Sequence, residues 1–138
     1  MTDSEEAISR RNADVVLRYL RVFETRQVAE LEELVAEDVL VHGAGHHVQG
    51  RQYPAGSVMT PGLSNCRVQV HDLFAARDRV TVAFTLTYTH DRTGRDLTMT
   101  GVKSYRLQDG RIVEFWGETD LYGLLRQAGL VSEQIPPF

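Results

Sequence analysis

The sequence predicts an α+β fold in which helices come first and an antiparallel meander follows. Three observations carry this expectation. Up to about Pro61 the apolar residues recur mainly at three- and four-residue steps, whereas beyond Cys66 they alternate with polar ones. Between two of the alternating runs, Asp109-Gly110 carries the signal of a tight hairpin. Helices that precede a meander have an apolar stripe to bury, and one face of the sheet is where it goes.

Ser4, followed by Glu5 and Glu6, reads as a helix start, because carboxylates are favoured at the positive end of the helix dipole. Ile8, Val15, Val16, Tyr19, Leu20 and Phe23 then mark one stripe of a long amphipathic helix over about residues 4–25. A second helical stretch is expected over about 28–36, with Val28, Leu31, Leu34 and Val35 on one side. Asp38 to His42 reads as a short strand, glycines 43, 45 and 50 break the chain, and Arg51 to Met59 reads as a short third helix ahead of Pro61-Gly62.

In the second half, Val68, Val70 and Asp72 alternate with Gln69 and His71, and Ala76 to Arg79 reads as a turn. Val80, Val82, Phe84, Leu86, Tyr88 and His90 share one face of the next strand, with threonines and an alanine opposite. Thr93-Gly94-Arg95 turns the chain into a strand from about Leu97 to Leu107. After the Asp109-Gly110 hairpin, a last strand over about Arg111 to Thr119 leads into a helix from Leu121 to Ala128, stopped by Gly129.

A chain of 138 residues without a repeat or a Pro/Ser linker is expected to be one domain, residues 1–138. Fifteen Lys and Arg against nineteen Asp and Glu leave a formal charge of −4, which lacks the cationic surplus that non-specific nucleic-acid binding needs. No apolar run is long enough for a membrane helix. The acidic start Thr2 to Glu6 shows no secretory or transit signal, so the expected location is cytoplasmic. The single cysteine, Cys66, excludes an internal disulfide and a multi-cysteine zinc site, and nothing around it suggests a nucleophile.

Among residues that could carry chemistry, Asp120 comes first. With a period of two, Trp116, Glu118 and Asp120 share a face, and if that face lines an apolar cavity the carboxylate becomes a proton carrier at neutral pH. The alternative is an N-cap, since Asp120 directly precedes the last helix. His90 ends the Phe84-Leu86-Tyr88 face, either at a pocket or as a solvated turn residue. His42, His46 and His47 cluster in a glycine-rich loop without a neighbouring carboxylate, which argues against a metal site. Trp116, Tyr53, Tyr88, Met59, Met99, Phe84 and Leu86 are candidate pocket walls, and the same residue types also build plain core.

Gly94-Arg95, Gly101, Tyr105-Arg106, Asp109-Gly110-Arg111-Ile112, Trp116, Asp120, Leu124-Leu125 and Gln127-Ala128-Gly129-Leu130 form a pattern over about residues 79–131. This pattern resembles the SnoaL-like polyketide cyclase family of the nuclear-transport-factor-2-like superfamily. The resemblance implies a cone-shaped α+β barrel, with N-terminal helices packed on a strongly curved mixed or antiparallel sheet. It also implies cofactor-independent acid/base chemistry, most typically aldol ring closure, on a small hydrophobic carbonyl compound, and a homodimer paired through the outer sheet face.

Carried over residue by residue, the family's acid/base aspartate matches Asp120. His90 matches a histidine that often follows Gly-Thr, with Tyr88 here replacing the glycine, and His42 matches a histidine near the cone mouth. Glu118 joins the substrate-facing set through its shared face with Asp120. The hairpin after His90 is shorter than the family's usual one. The Arg and Asp that assist epoxide-opening cousins are absent from Phe84-Thr85-Leu86. An isomerase of the ketosteroid type, with Tyr19 or Tyr53 as the oxyanion donor, stays open, as do a hydroxylase-type tailoring protein and a non-catalytic binder.

Overall fold

The fold is set by a long helix, α1 (Glu5–Thr25), which lays Val16, Tyr19, Leu20 and Phe23 against the sheet. In this computed structural model, which describes residues 4–43, 45–134 and 137, Ser4 caps α1 by accepting a hydrogen bond from the Ala7 N–H at 3.1 Å. Ser9 and Asn12 of α1 grip the backbone of Arg77 in the first long hairpin, at 2.8 and 2.7 Å.

The expected second helix is shorter than its apolar spacing suggests. A 3₁₀ turn (Val28–Glu30) and α2 (Leu31–Leu34) give way at once to β1 (Val35–Gly43). Val35 and Val39 are fully buried in that strand, so the β-branched residues at its start follow their strand preference. The segment read as a glycine-broken loop contains a further short strand, β2 (His46–Gln49), paired antiparallel with β1. The short helix α3 (Gln52–Val58) follows where it was expected.

Three long strands make the body of the sheet: β3 (Leu63–Ala76), β4 (Arg79–His90) and β5 (Asp96–Gln108). β3 is far longer than the stretch around Val68–Asp72 that alternation marks, because register breaks between Ser64 and Arg67 and between Val70 and Asp72 interrupt its period. The turn into β6 (Arg111–Thr119) has both Asp109 (φ 52) and Gly110 (φ 77) in the left-handed region, as the expected two-residue hairpin requires. α4 (Leu121–Gln127) closes the described fold.

The strand order is β2-β1-β6-β5-β4-β3, with β1 and β6 parallel and every other neighbouring pair antiparallel. Among the described residues the result is four α-helices on an open, mixed, six-stranded sheet, an α+β cone. Among the described residues, no helix is long and apolar enough to cross a membrane.

The inward row of β5 reads Leu97, Met99, Gly101, Lys103, Tyr105 and Leu107, and that of β4 reads Val80, Val82, Phe84, Leu86 and Tyr88. β6 changes row part-way. Ile112 pairs with Leu107, but Glu114 already pairs with Arg106, so one extra residue is inserted at Val113. Ile112 therefore points inward, and beyond the bulge the inward residues are Phe115, Gly117 and Thr119.

Candidate active site

α1, α3, α4 and the inward rows of the sheet enclose a cavity of about 290 Å³. Its walls are mainly apolar, with Phe23, Leu63, Leu86, Met99, Phe115 and Leu124 among them. One charged side chain reaches into this setting, and it is Lys103. Its ammonium lies 5.4 Å from the ring centre of Phe115, 5.7 Å from Phe23 and 5.8 Å from Phe84. Among the described residues it has no hydrogen bond and no ion pair, and no Asp or Glu lines the cavity. Burial without a counter-ion favours the neutral amine and pulls the Lys103 pKa down to about 8.

Room for the lysine comes from a glycine on the neighbouring strand. A Cβ on Gly117 would stand 2.9 Å from Lys103 Cγ and 3.1 Å from its Cε, so the stem runs across the space a side chain would occupy. The Tyr19 hydroxyl, on a fully buried residue that also lines the cavity, likewise has no hydrogen-bond partner. Burial raises the Tyr19 and Tyr88 phenols well above their ordinary range, and both stay protonated donors at neutral pH. Two hydroxyls of the lining are already committed: Ser57 donates to the Tyr53 carbonyl at 3.2 Å and Thr60 to the Ser57 carbonyl at 2.8 Å.

The residues singled out from sequence fall into two groups. Tyr53, Tyr88, Leu86 and Met99 line the cavity, and His42 borders it through its strand while its ring lies on the outer face. Phe84 is packed into the core behind it, with its ring against Lys103, and Met59 is 44% exposed and outside the lining. Trp116 and Glu118 lie on the opposite, outer face of the sheet, because the Val113 insertion shifts which residues of β6 look inward.

Asp120 lies at the rim between two cavity residues, Thr119 and Leu121, but its carboxylate accepts the Gly123 N–H at 2.9 Å and caps α4. His90 stands at the strand end, outside the lining, with Nδ1 2.9 Å from the Thr93 hydroxyl. Cys66 packs as a small buried group, and burial pushes its thiol up to about 11.

The outer face carries a polar cluster of its own. His42 Nε2 donates to Glu114 at 2.7 Å, its Nδ1 lies 2.7 Å from His47 Nδ1, and its ring stacks on Trp116 at 4.7 Å. Arg106 Nε donates to the other Glu114 oxygen at 3.1 Å. These partners, His42 first, hold the Glu114 carboxyl below its ordinary range against the opposing cost of burial. No set of three metal-ligating side chains comes together among the described residues.

Lys103 is not among the residues that the sequence pattern singles out, although the chain carries a signal for it. Period two sets it on the same row as Leu97, Met99, Tyr105 and Leu107, and a lysine on an otherwise apolar row is out of place unless it serves a cavity.

An open mixed sheet curved around a helix-capped apolar cavity defines the ketosteroid-isomerase-like α+β cone. Within that class the chain belongs to the SnoaL-like domain family, whose profile matches residues 16–115. The fold is shared with IdmH from Streptomyces antibioticus, a proposed polyketide cyclase. IdmH is 26% identical, with 86% of this chain and 98% of that one covered and a TM-score of 0.72. AclR, a proposed hydroxylase from Streptomyces galilaeus, superposes at 19% identity over 93% of this chain and 90% of its own, with a TM-score of 0.77. A proposed polyketide cyclase from Bacillus cereus does so at 21% identity over 88% and 83%, with a TM-score of 0.79. No curated protein matches the chain in sequence.

Proposed function

We propose that this protein is a cofactor-independent enzyme acting on a small hydrophobic carbonyl compound, with aldol ring closure of the polyketide-cyclase kind as its reaction. The observation that carries the reading is Lys103, an ammonium without a counter-ion inside an apolar cavity. A buried lysine of this sort is costly to the fold, and charge development in a transition state gives it a use. The cavity is of a size for a small ring system and offers hydrogen-bond donors from Lys103 and Tyr19. Membership of the SnoaL-like family and the likeness to IdmH support the same reaction class.

In this reading an acidic α-carbon of the substrate has lost its proton to water, and the resulting enolate carbon attacks a second carbonyl carbon. The new C–C bond forms as the carbonyl π bond breaks, and negative charge collects on the oxygen. The Lys103 ammonium stabilises that oxygen and transfers a proton to it, and water reprotonates the amine. Tyr19 holds the same or the neighbouring oxygen by donating its hydroxyl proton. Asp120, at the rim, keeps α4 seated over the cavity mouth through its cap. Pairing with a second copy belongs to the proposal too, motivated by the exposed Phe74, Val102 and Trp116 on the outer sheet face.

The test is turnover of acidic 1,3-dicarbonyl compounds that carry a second ketone, and of aromatic polyketide analogues, by wild type and by Lys103→Met. A loss of at least 100-fold in kcat/KM with an unchanged circular dichroism spectrum supports the reading, and equal rates refute it. Ketosteroid-type isomerisation is distinguished by its product, a shifted double bond with no new ring.

A further inference from the structure

We infer that the ligand enters this cavity as an anion, its ionised oxygen pairing with Lys103; the substrate class is an acidic, enolised 1,3-dicarbonyl or an apolar carboxylate. The inference rests on the cavity assigned above and deepens it. Three observations lead to it.

The first is charge balance. Lys103 has no ionic partner among the described residues, and no described carboxylate lines the cavity. A ligand bearing one negative charge neutralises the site, whereas a neutral ligand leaves the ammonium uncompensated and more deeply desolvated. The second is the donor inventory. Inside the cavity the Lys103 ammonium, which only donates, and the fully buried Tyr19 hydroxyl have no protein hydrogen-bond partner among the described residues. Both ask for acceptor oxygens.

The third is the chemistry the cavity leaves out. An enzyme that removes a weakly acidic C–H needs an aimed base, yet the Asp120 carboxylate is directed into the α4 cap and His90 is held by Thr93. A 1,3-dicarbonyl compound acidified enough to ionise below neutral pH, as cyclic and aryl-substituted ones are, removes that need, because its proton is already lost to water before it binds. The resulting delocalised enolate brings the negative oxygen for Lys103 and the nucleophilic carbon together. Phe23, Phe84 and Phe115 around the ammonium then clamp the apolar remainder of the ligand near the charge.

The experiment is equilibrium binding to the full chain by titration calorimetry, with three inert probes of similar size. These are 2-naphthoate, the enolate of 2-phenyl-1,3-indandione, and neutral 2-naphthamide. At pH 7 both anions are expected to bind at least tenfold more tightly than the amide. The two anionic arms separate carboxylate from enolate as the preferred source of the oxygen. Between pH 7 and 9.5 the anion preference should fall as Lys103 loses its proton. The other titratable groups lining the cavity are the phenols Tyr19, Tyr53 and Tyr88, whereas the His42 ring lies on the outer face of the sheet.

Lys103→Met should abolish the preference while retaining the amide, and Lys103→Arg, which keeps the charge, should preserve part of it. Equal binding of all three probes overturns the inference, as does an anion preference that survives in Lys103→Met. Anion preference without turnover of any dicarbonyl leaves this inference standing and removes the catalytic reading. Turnover of neutral ketones without anion preference does the reverse.

Discussion

Replacing Lys103 with methionine should make the protein more stable while removing its activity. Methionine is unbranched and of similar length, so the stem volume beside Gly117 is kept and the charge is lost. The magnitude follows from the titration of the amine, which drops from 10.5 to about 8 in the folded chain through burial. At about 1.4 kcal/mol per unit, holding the charged form costs the fold up to roughly 3 kcal/mol at pH 7. The three aromatic faces return part of this, about 0.5–1 kcal/mol for a favourable ring, so the expected net gain is about 1–3 kcal/mol.

The pH dependence has a definite sign. Below pH 8 the lysine is protonated in both states, and the penalty is present in full. Between about 8 and 10.5 the unfolded chain holds more protons than the folded one, so the stability of the wild type rises with pH. The advantage of Lys103→Met therefore shrinks across that window. Urea unfolding of both proteins at pH 7, 8, 9 and 10 measures it, and subtracting the two curves removes the phenol and thiol titrations they share. A variant that is less stable than wild type at pH 7, or a difference that does not change with pH, refutes the reasoning about an unpaired buried cation.

Four further outcomes are expected. Tyr19→Phe removes a hydroxyl without a hydrogen-bond partner, so stability should stay within about 1 kcal/mol while turnover falls at least tenfold; an unchanged rate assigns Tyr19 to the core alone. Gly117→Ala places a methyl 2.9 Å from Lys103 Cγ and should displace the ammonium, lowering kcat/KM by tenfold or more as measured by steady-state kinetics. Asp120→Asn keeps a good N-cap and Asp120→Ala does not, so thermal melts should show a loss of about 1 kcal/mol only for alanine, with turnover of the asparagine variant within a few-fold of wild type; a 100-fold loss in Asp120→Asn restores the carboxylate to the chemistry. Glu114→Gln should destabilise the protein near neutrality, where the carboxylate is held by His42 and Arg106. The difference from wild type should close as pH falls through the depressed Glu114 titration, which acid unfolding curves of the two proteins detect.

Much of the architecture is legible along the chain because it depends on local rules. The Ser4 cap, the stripe Val16-Tyr19-Leu20-Phe23, the alternation through Val80–Tyr88 and the Asp109-Gly110 turn each need only neighbouring residues to be recognised. Where local preference was ambiguous, the tertiary setting decided. The apolar spacing of Val28 to Val35 suits a helix, but Val35 is drawn into β1 by its pairing with Ile112 on β6. His46–Gln49 has no strand signal of its own and becomes one by pairing with the edge of β1.

The candidate site shows the same division more sharply. Alternation establishes by itself that Trp116 and Glu118 share one face of β6, and that Lys103 shares a row with Leu97 and Tyr105. The family is legible without a structure too, through the motif residues that resemble it and the match over residues 16–115. Which face looks into the cone is a different matter, because a single inserted residue at Val113 exchanges inside for outside along the rest of the strand. That exchange sends Trp116 and Glu118 outward and turns Phe115, Gly117 and Thr119 toward the cavity. The Asp120 carboxylate meanwhile goes to the cap of α4. Only the assembled sheet, with Gly117 opposite Lys103 and no carboxylate among the described residues of the lining, turns an ordinary surface-type residue into an unpaired charge inside the cavity.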